Sequence, residues 1–248
     1  MTASLRRYRM KSFTIEVVAS SVRSCINAQQ GGASRIELCS ALATAGVTPS
    51  NGLLMAVKKN IALPVYVMIR PREGDFCYDA REVDTMKLEI ECLQKAGSDG
   101  FVFGMLQKNG EVNHALTAEL VAFCKPYPVT FHRAIDCTPN MSEALEAIID
   151  TGCMRVLTSG GKASGPEGVE NIIQLAEQSS GRISIMPGGG ISPATFPSML
   201  HKSIIDYHLS GRLAVASPIP FKLFDMNWTE TDEASIRDVV KEAEIFFA

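Results

Sequence analysis

Eight short runs rich in β-branched and apolar residues recur along the chain, at 13–19, 35–39, 65–70, 100–104, 129–134, 155–159, 183–186 and 206–210. Between them lie segments with helical character: 22–30, 50–59, 82–96, 118–124, 142–151, 166–178, 193–202 and 232–246. In 82–96, Val83, Met86, Ile90 and Leu93 share one face, and Gly97 follows where a C-terminal cap belongs. In the last segment Ile236, Val239, Val240, Ala243 and Phe247 form the stripe. Alternating strand and helix units predict a parallel α/β sheet, and eight of them favour closure into a single-domain TIM (β/α)8 barrel over an open doubly wound sheet. The expected domain runs over 13–248, behind an N-terminal arm at 1–12. A long loop at 212–231, carrying Pro218, Pro220, Phe221 and Trp228, precedes the last helix. In such a barrel the functional residues sit at the C-terminal ends of the strands.

Composition narrows the function classes. A chain of 248 residues with 46% hydrophobic content suits one barrel domain. Its net charge of −3 is mild, and no basic block is interleaved with aromatics, so nucleic acid is not an expected partner. No apolar run reaches membrane-spanning length, which argues against a membrane protein. Arg6, Arg7, Arg9 and Lys11 are not followed by an apolar signal core, so a cytoplasmic location is expected. The seven cysteines form no C-x-x-C pair and are expected to be reduced.

Candidate chemistry follows from alternation. Residues two apart on a strand share a face. Arg35, Glu37 and Cys39 therefore point one way, as do Met68, Arg70 and Arg72, Thr130 and His132, and His208 and Ser210. A barrel strand is covered on both faces, so Glu37, Arg70 and His132 are costly there unless paired. Glu37 and Arg70, on adjacent strands, are expected to pair. The bland reading is a buried polar layer that fixes register. The functional one is a polar funnel for a small anionic, phosphorylated or carboxylated metabolite, with Arg70 and Arg72 on the anion. His132 is then acid or base, Glu37 its partner, and Asp136 an orienting group.

The loop after the seventh run reads Met186-Pro187-Gly188-Gly189-Gly190, and a helix is expected to follow it. Its exposed N–H groups and the helix N-terminus make it a candidate anion cradle, completed by Ser159, His208, Ser210 and Gly211. Tight βα connections use the same glycines without any ligand.

Seven strings carry a family resemblance: GGASRIELCSALATAGVTPSNG, PVYVMIRPREGDFCYD, DGFVFGML, PVTFHRAID, RVLTSGG, IMPGGGI and YHLSGR. Together, from about Ile15 to Arg212, they resemble the CutC family, named for copper homeostasis. The resemblance implies a TIM barrel, a cytosolic location, a homo-oligomer (dimer or tetramer) and copper(I) as cofactor or cargo. Copper binding in the family is attributed to a Cys just after strand one and a Cys ending strand two. Here the second is Cys39, whereas strand one reads Glu16-Val17-Val18-Ala19-Ser20 without a Cys. Cys77, in the loop after strand three, or Met68 is the substitute donor. A barrel enzyme acting on a small anionic metabolite by lyase, isomerase or hydrolase chemistry stands as the alternative.

Overall fold

The computed structural model describes residues 12–220 and 227–248. Most of the expected arm, residues 1–11, and Phe221 lie outside the described residues. Eight parallel strands build the sheet: β1 (Thr14–Ala19), β2 (Arg35–Leu38), β3 (Val65–Met68), β4 (Gly100–Phe103), β5 (Val129–Phe131), β6 (Arg155–Thr158), β7 (Ser184–Pro187) and β8 (Asp206–Leu209). Their order is β7-β6-β5-β4-β3-β2-β1-β8, which curls into a nearly closed barrel of the TIM type. β7 and β8 lie side by side, but among the described residues no backbone ladder joins them.

Alternation divides each strand between two cores. On β1, Ile15, Val17 and Ala19 pack into the main core beneath the helices. Val18 joins Cys39, Met68 and Val102 in a small apolar cluster inside the lumen. Register then sets the neighbours of the buried Glu16, which lies opposite Arg35 on β2 and His208 on β8.

The helices are α1 (Val22–Gln30), α2 (Asn51–Asn60), α3 (Ala80–Lys95), α4 (His114–Cys124), α5 (Met141–Asp150), α6 (Val169–Ser179) and α7 (Glu233–Phe246). Most start at a side-chain cap, which satisfies amide groups that have no partner within the helix. Ser50 Oγ accepts from Leu53 N at 3.1 Å, and Asp79 forms a capping box with Glu82 ahead of α3. Asn113 caps α4, so that helix begins four residues before the expected 118. No described helix is long and apolar enough to cross a membrane.

Two expectations are corrected. The helix expected at 193–202 is one 3-10 turn, Phe196–Met199. Pro197 has no N–H to donate, and the apolar Phe196 and Met199 need only one turn to reach the core. The loop expected at 212–231 carries an antiparallel pair, β9 (Arg212–Val215) with β10 (Trp228–Thr231). Its base is fastened to α1: Asn27 Nδ2 donates to Thr231 O at 2.9 Å, and Thr231 N donates to Ser24 Oγ at 3.2 Å.

Candidate functional site

The lower lumen holds a charged layer. Arg35 donates from Nε to Glu16 and from Nη2 to Asp206 Oδ1 at 3.5 Å. Arg155 donates from Nε to Asp206 Oδ2 at 3.0 Å and from Nη1 to Thr130 Oγ1 at 3.3 Å. Ser184 Oγ donates to Asp206 Oδ2 at 2.5 Å. Both guanidinium groups also stack on the Tyr66 ring, Arg35 at 4.8 Å and Arg155 at 5.7 Å from its centroid. Burial opposes ionisation of Glu16, but Arg35 and then His208 outweigh it and hold its carboxyl far below the usual carboxylate range. For Asp206, Arg155 and Arg35 likewise overcome the burial penalty, and its pKa is lowered.

Above this layer the strand ends open into a cavity of about 570 Å³. Its wall includes Glu37, Cys39, Met68, His132 and His208. His208 Nδ1 pairs with Glu16 Oε1 at 2.8 Å, and its Nε2 lies 3.7 Å from Glu37 Oε2. Burial pushes Glu37 up to about 7, against the pull of His208. Burial alone would lower His208, but Glu37 and Glu16 outweigh it and raise its pKa. The Cys39 thiol neighbours Glu37, and burial together with that carboxylate raises it well above the ordinary thiol range.

His132 sits where β5 gives way to a 3-10 turn, Arg133–Cys137. Its Nδ1 accepts from Ala134 N at 3.3 Å, which fixes the ring. Gly104 makes room for that ring, since a Cβ there would fall 2.6 Å from Nδ1. Burial first, then the Arg70 charge, push His132 down to about 3, so it is neutral at pH 7. Its Nε2 and Glu37 Oε1 are buried without a hydrogen-bond partner among the described residues.

Several expected roles change. Arg70 does not pair with Glu37. Its guanidinium donates to the carbonyls of Thr44, Gly46 and Gly74 at 2.7–2.8 Å and so ties together the loops after β2 and β3. Arg72 leaves the lumen, because β3 ends at Met68 and alternation stops there. It pairs on the surface with Asp75 and Glu82. Cys77 is outside the cavity wall, with its Sγ donating to Gln107 O at 3.4 Å. Asp136 does not hold His132. It accepts from Thr158 Oγ1 at 2.5 Å, from Ser159 N and Oγ at 3.0 and 2.9 Å, and from Arg133 Nε at 2.8 Å. Ser159 is thereby committed to loop structure.

In the glycine turn, Gly189 and Gly190 line the cavity and adopt positive φ, whereas Gly188 packs against Leu157 and His208. Gly211 packs against Ile236 of α7. Ser210 and His208 face the cavity. With the 3-10 turn in place of a helix after β7, the expected helix N-terminus is not there to add its charge. The sequence reading passed over Glu16, Arg155 and Asp206, although Glu16 carried the same signal as Glu37: a carboxylate within an apolar run.

The fold and lumen define a (β/α)8-barrel protein with an ionic floor and an acid–base pair at its mouth. The CutC family model matches residues 13–213, and the chain belongs to that family. It is 47% identical over 211 residues to the Mus musculus copper homeostasis protein cutC homolog, covering 85% of this chain and 78% of the relative. The Homo sapiens homolog is 46% identical, covering 85% and 77% respectively. A crystal structure of a CutC from Streptococcus agalactiae superposes with a TM-score of 0.75 at 27% identity, covering 80% of this chain and 98% of that one.

Proposed function

We propose that this chain acts in copper homeostasis, the role its mouse and human relatives are named for, and that its barrel mouth binds copper(I) through Cys39. The observation that carries the assignment is a convergence of soft donors. Cys39 and Met68 belong to one small buried cluster and both line the cavity wall, which puts a thiol and a thioether side chain in the same corner of the barrel mouth. Soft sulfur ligands are those copper(I) selects. Cys39 rests as a thiol, and copper displaces its proton; the neighbouring Glu37 is placed to take it. Cys77 has no part in this site. The same reading takes the chain as a cytoplasmic homo-oligomer, which rests on the family resemblance.

A second reading is favoured by Nε2 of His132 and Oε1 of Glu37, both at this cavity and both buried without a hydrogen-bond partner among the described residues. These atoms suit a small polar or anionic metabolite: with Nδ1 taken by the Ala134 amide, the neutral His132 carries its proton on Nε2 and donates, and Glu37 is the proton acceptor. One experiment separates the two. Wild type and Cys39→Ser are titrated with copper(I) anaerobically against a chromogenic chelator, then screened by thermal shift with phosphorylated and carboxylated metabolites. Tight binding of about one copper per chain, lost in the variant, supports the copper site. Binding insensitive to the substitution refutes it, and a metabolite that stabilises both proteins supports the second reading.

A further inference from the structure

The charges of the floor pair among themselves, and Glu37 stands above them. In the floor, the carboxylates of Glu16 and Asp206 are matched by the guanidinium groups of Arg35 and Arg155. That leaves Glu37, 3% exposed, with His208 as the group that faces it. A buried carboxylate needs a counter-charge. A proton on His208 is one candidate, and the geometry around that imidazole fits another.

His208 is built like a metal ligand. Its Nδ1 is held by Glu16 Oε1 at 2.8 Å, and Glu16 is itself fixed by Arg35. This is the carboxylate–histidine arrangement that orients a ring and raises the basicity of its other nitrogen. That other nitrogen, Nε2, lies toward Glu37 Oε2 at 3.7 Å. Two ligands about 2.1 Å from one tetrahedral ion stand roughly 3.4 Å apart, so little movement is needed to seat a cation between them. Ligand atoms of Glu16, Glu37 and His208 all lie within 4.8 Å of one another. Among the described residues, the second oxygen of Glu37 is buried without a hydrogen-bond partner. Both Glu37 and His208 line the cavity, which leaves the remaining coordination positions for water or a bound molecule.

We propose that the barrel mouth holds a second metal site, for a borderline divalent cation such as zinc, with His208 Nε2 and the Glu37 carboxylate as ligands and Glu16 as the residue that positions His208. Imidazole with carboxylate suits such ions, whereas copper(I) prefers the sulfur pair on the same wall. The site does not depend on the copper(I) reading, because it uses neither Cys39 nor Met68.

Cobalt(II) is the probe. Titrated into the full chain, it gives visible d–d bands that saturate at about one equivalent, as expected for one four- or five-coordinate site. Glu37→Gln and His208→Gln each weaken binding more than tenfold, and Glu16→Gln weakens it about 10–100-fold without changing the band shape. Cys39→Ser leaves affinity within about twofold and shows no loss of sulfur-to-metal charge transfer. Far-ultraviolet circular dichroism confirms that each variant is folded. Should the variants fail to fold, pulsed EPR of the wild type with one equivalent of copper(II) reads the ligand directly, as coupling to the remote nitrogen of an imidazole. Absence of that coupling overturns the site. So does cobalt binding that ignores Glu37 and His208, or that disappears with Cys39; His208 and Glu37 are then a plain ion pair. Failure of the copper(I) reading looks different, since it leaves the cobalt bands in place.

Discussion

Keeping His132 neutral in the folded chain carries a measurable cost in acid. Burial and Arg70 move its pKa from 6.5 to about 3, while the unfolded chain titrates near the ordinary value. Between those values the unfolded state binds a proton that the folded state does not, so stability falls as the pH falls. From about pH 7.5, where the cost is close to zero, to about pH 5, this one residue removes about 2 kcal/mol. His132→Asn keeps an acceptor for the Ala134 amide and has no such titration. Urea unfolding of both proteins at the two pH values gives a double difference in which most other groups cancel. Glu37 is one of these, and its sign is opposite: its raised pKa makes the folded chain more stable as the pH falls from about 7 towards 4.5. The expected result is that the wild type loses about 2 kcal/mol more than the variant over this interval. Equal losses would refute the argument and mean that His132 is protonated, or open to water, in the folded state.

Two further substitutions probe the same architecture. Gly104→Ala drives a methyl against the His132 ring, and overpacking of this kind costs about 1–3 kcal/mol in a denaturation curve. An unchanged midpoint would show that the ring moves freely. Arg35→Leu leaves Glu16 and Asp206 short of a cation in the buried floor, and breaking such a network costs about 3–5 kcal/mol at neutral pH. If the loss recovers in a Glu16→Gln, Arg35→Leu double variant, the cost belongs to the unpaired charge and not to lost packing.

Most of the barrel was legible because its strands are buried on both faces and appear as short apolar runs, most of them followed by a helix with a polar cap. The helix after β7 misled because Phe196, Met199 and Leu200 are spaced as a helix would space them, while Pro197 cannot donate back to Pro193 and Leu200 already has extended backbone, so only one turn forms between them. Alternation placed Glu37, His132 and His208 at the cavity, because all three lie on a strand or one residue beyond it. It failed for Arg72, which lies past Pro71 and the end of β3, where period two has no meaning. Arg155 and Asp206 were hidden for another reason. Each is the first residue of its strand, where a charge reads as the solvent edge of the sheet, and only closure of the barrel turns that edge into an interior floor. Which loop carbonyls Arg70 ties together depends on contacts between separate loops, which no local pattern records.

The gap between β7 and β8 gives the ionic floor a mechanical meaning. Where neighbouring strands elsewhere are laced by amide ladders, this pair is bridged by Ser184 on β7 donating to Asp206 on β8, with Arg155 of β6 and Arg35 of β2 gripping the same carboxylate. Asp206 is thus a clasp on a hoop that the main chain leaves unfastened. The amides of β7 and β8 along this line are where solvent exchange is expected to enter first. Widening of the mouth would then be governed by a carboxylate at the opposite end of the lumen.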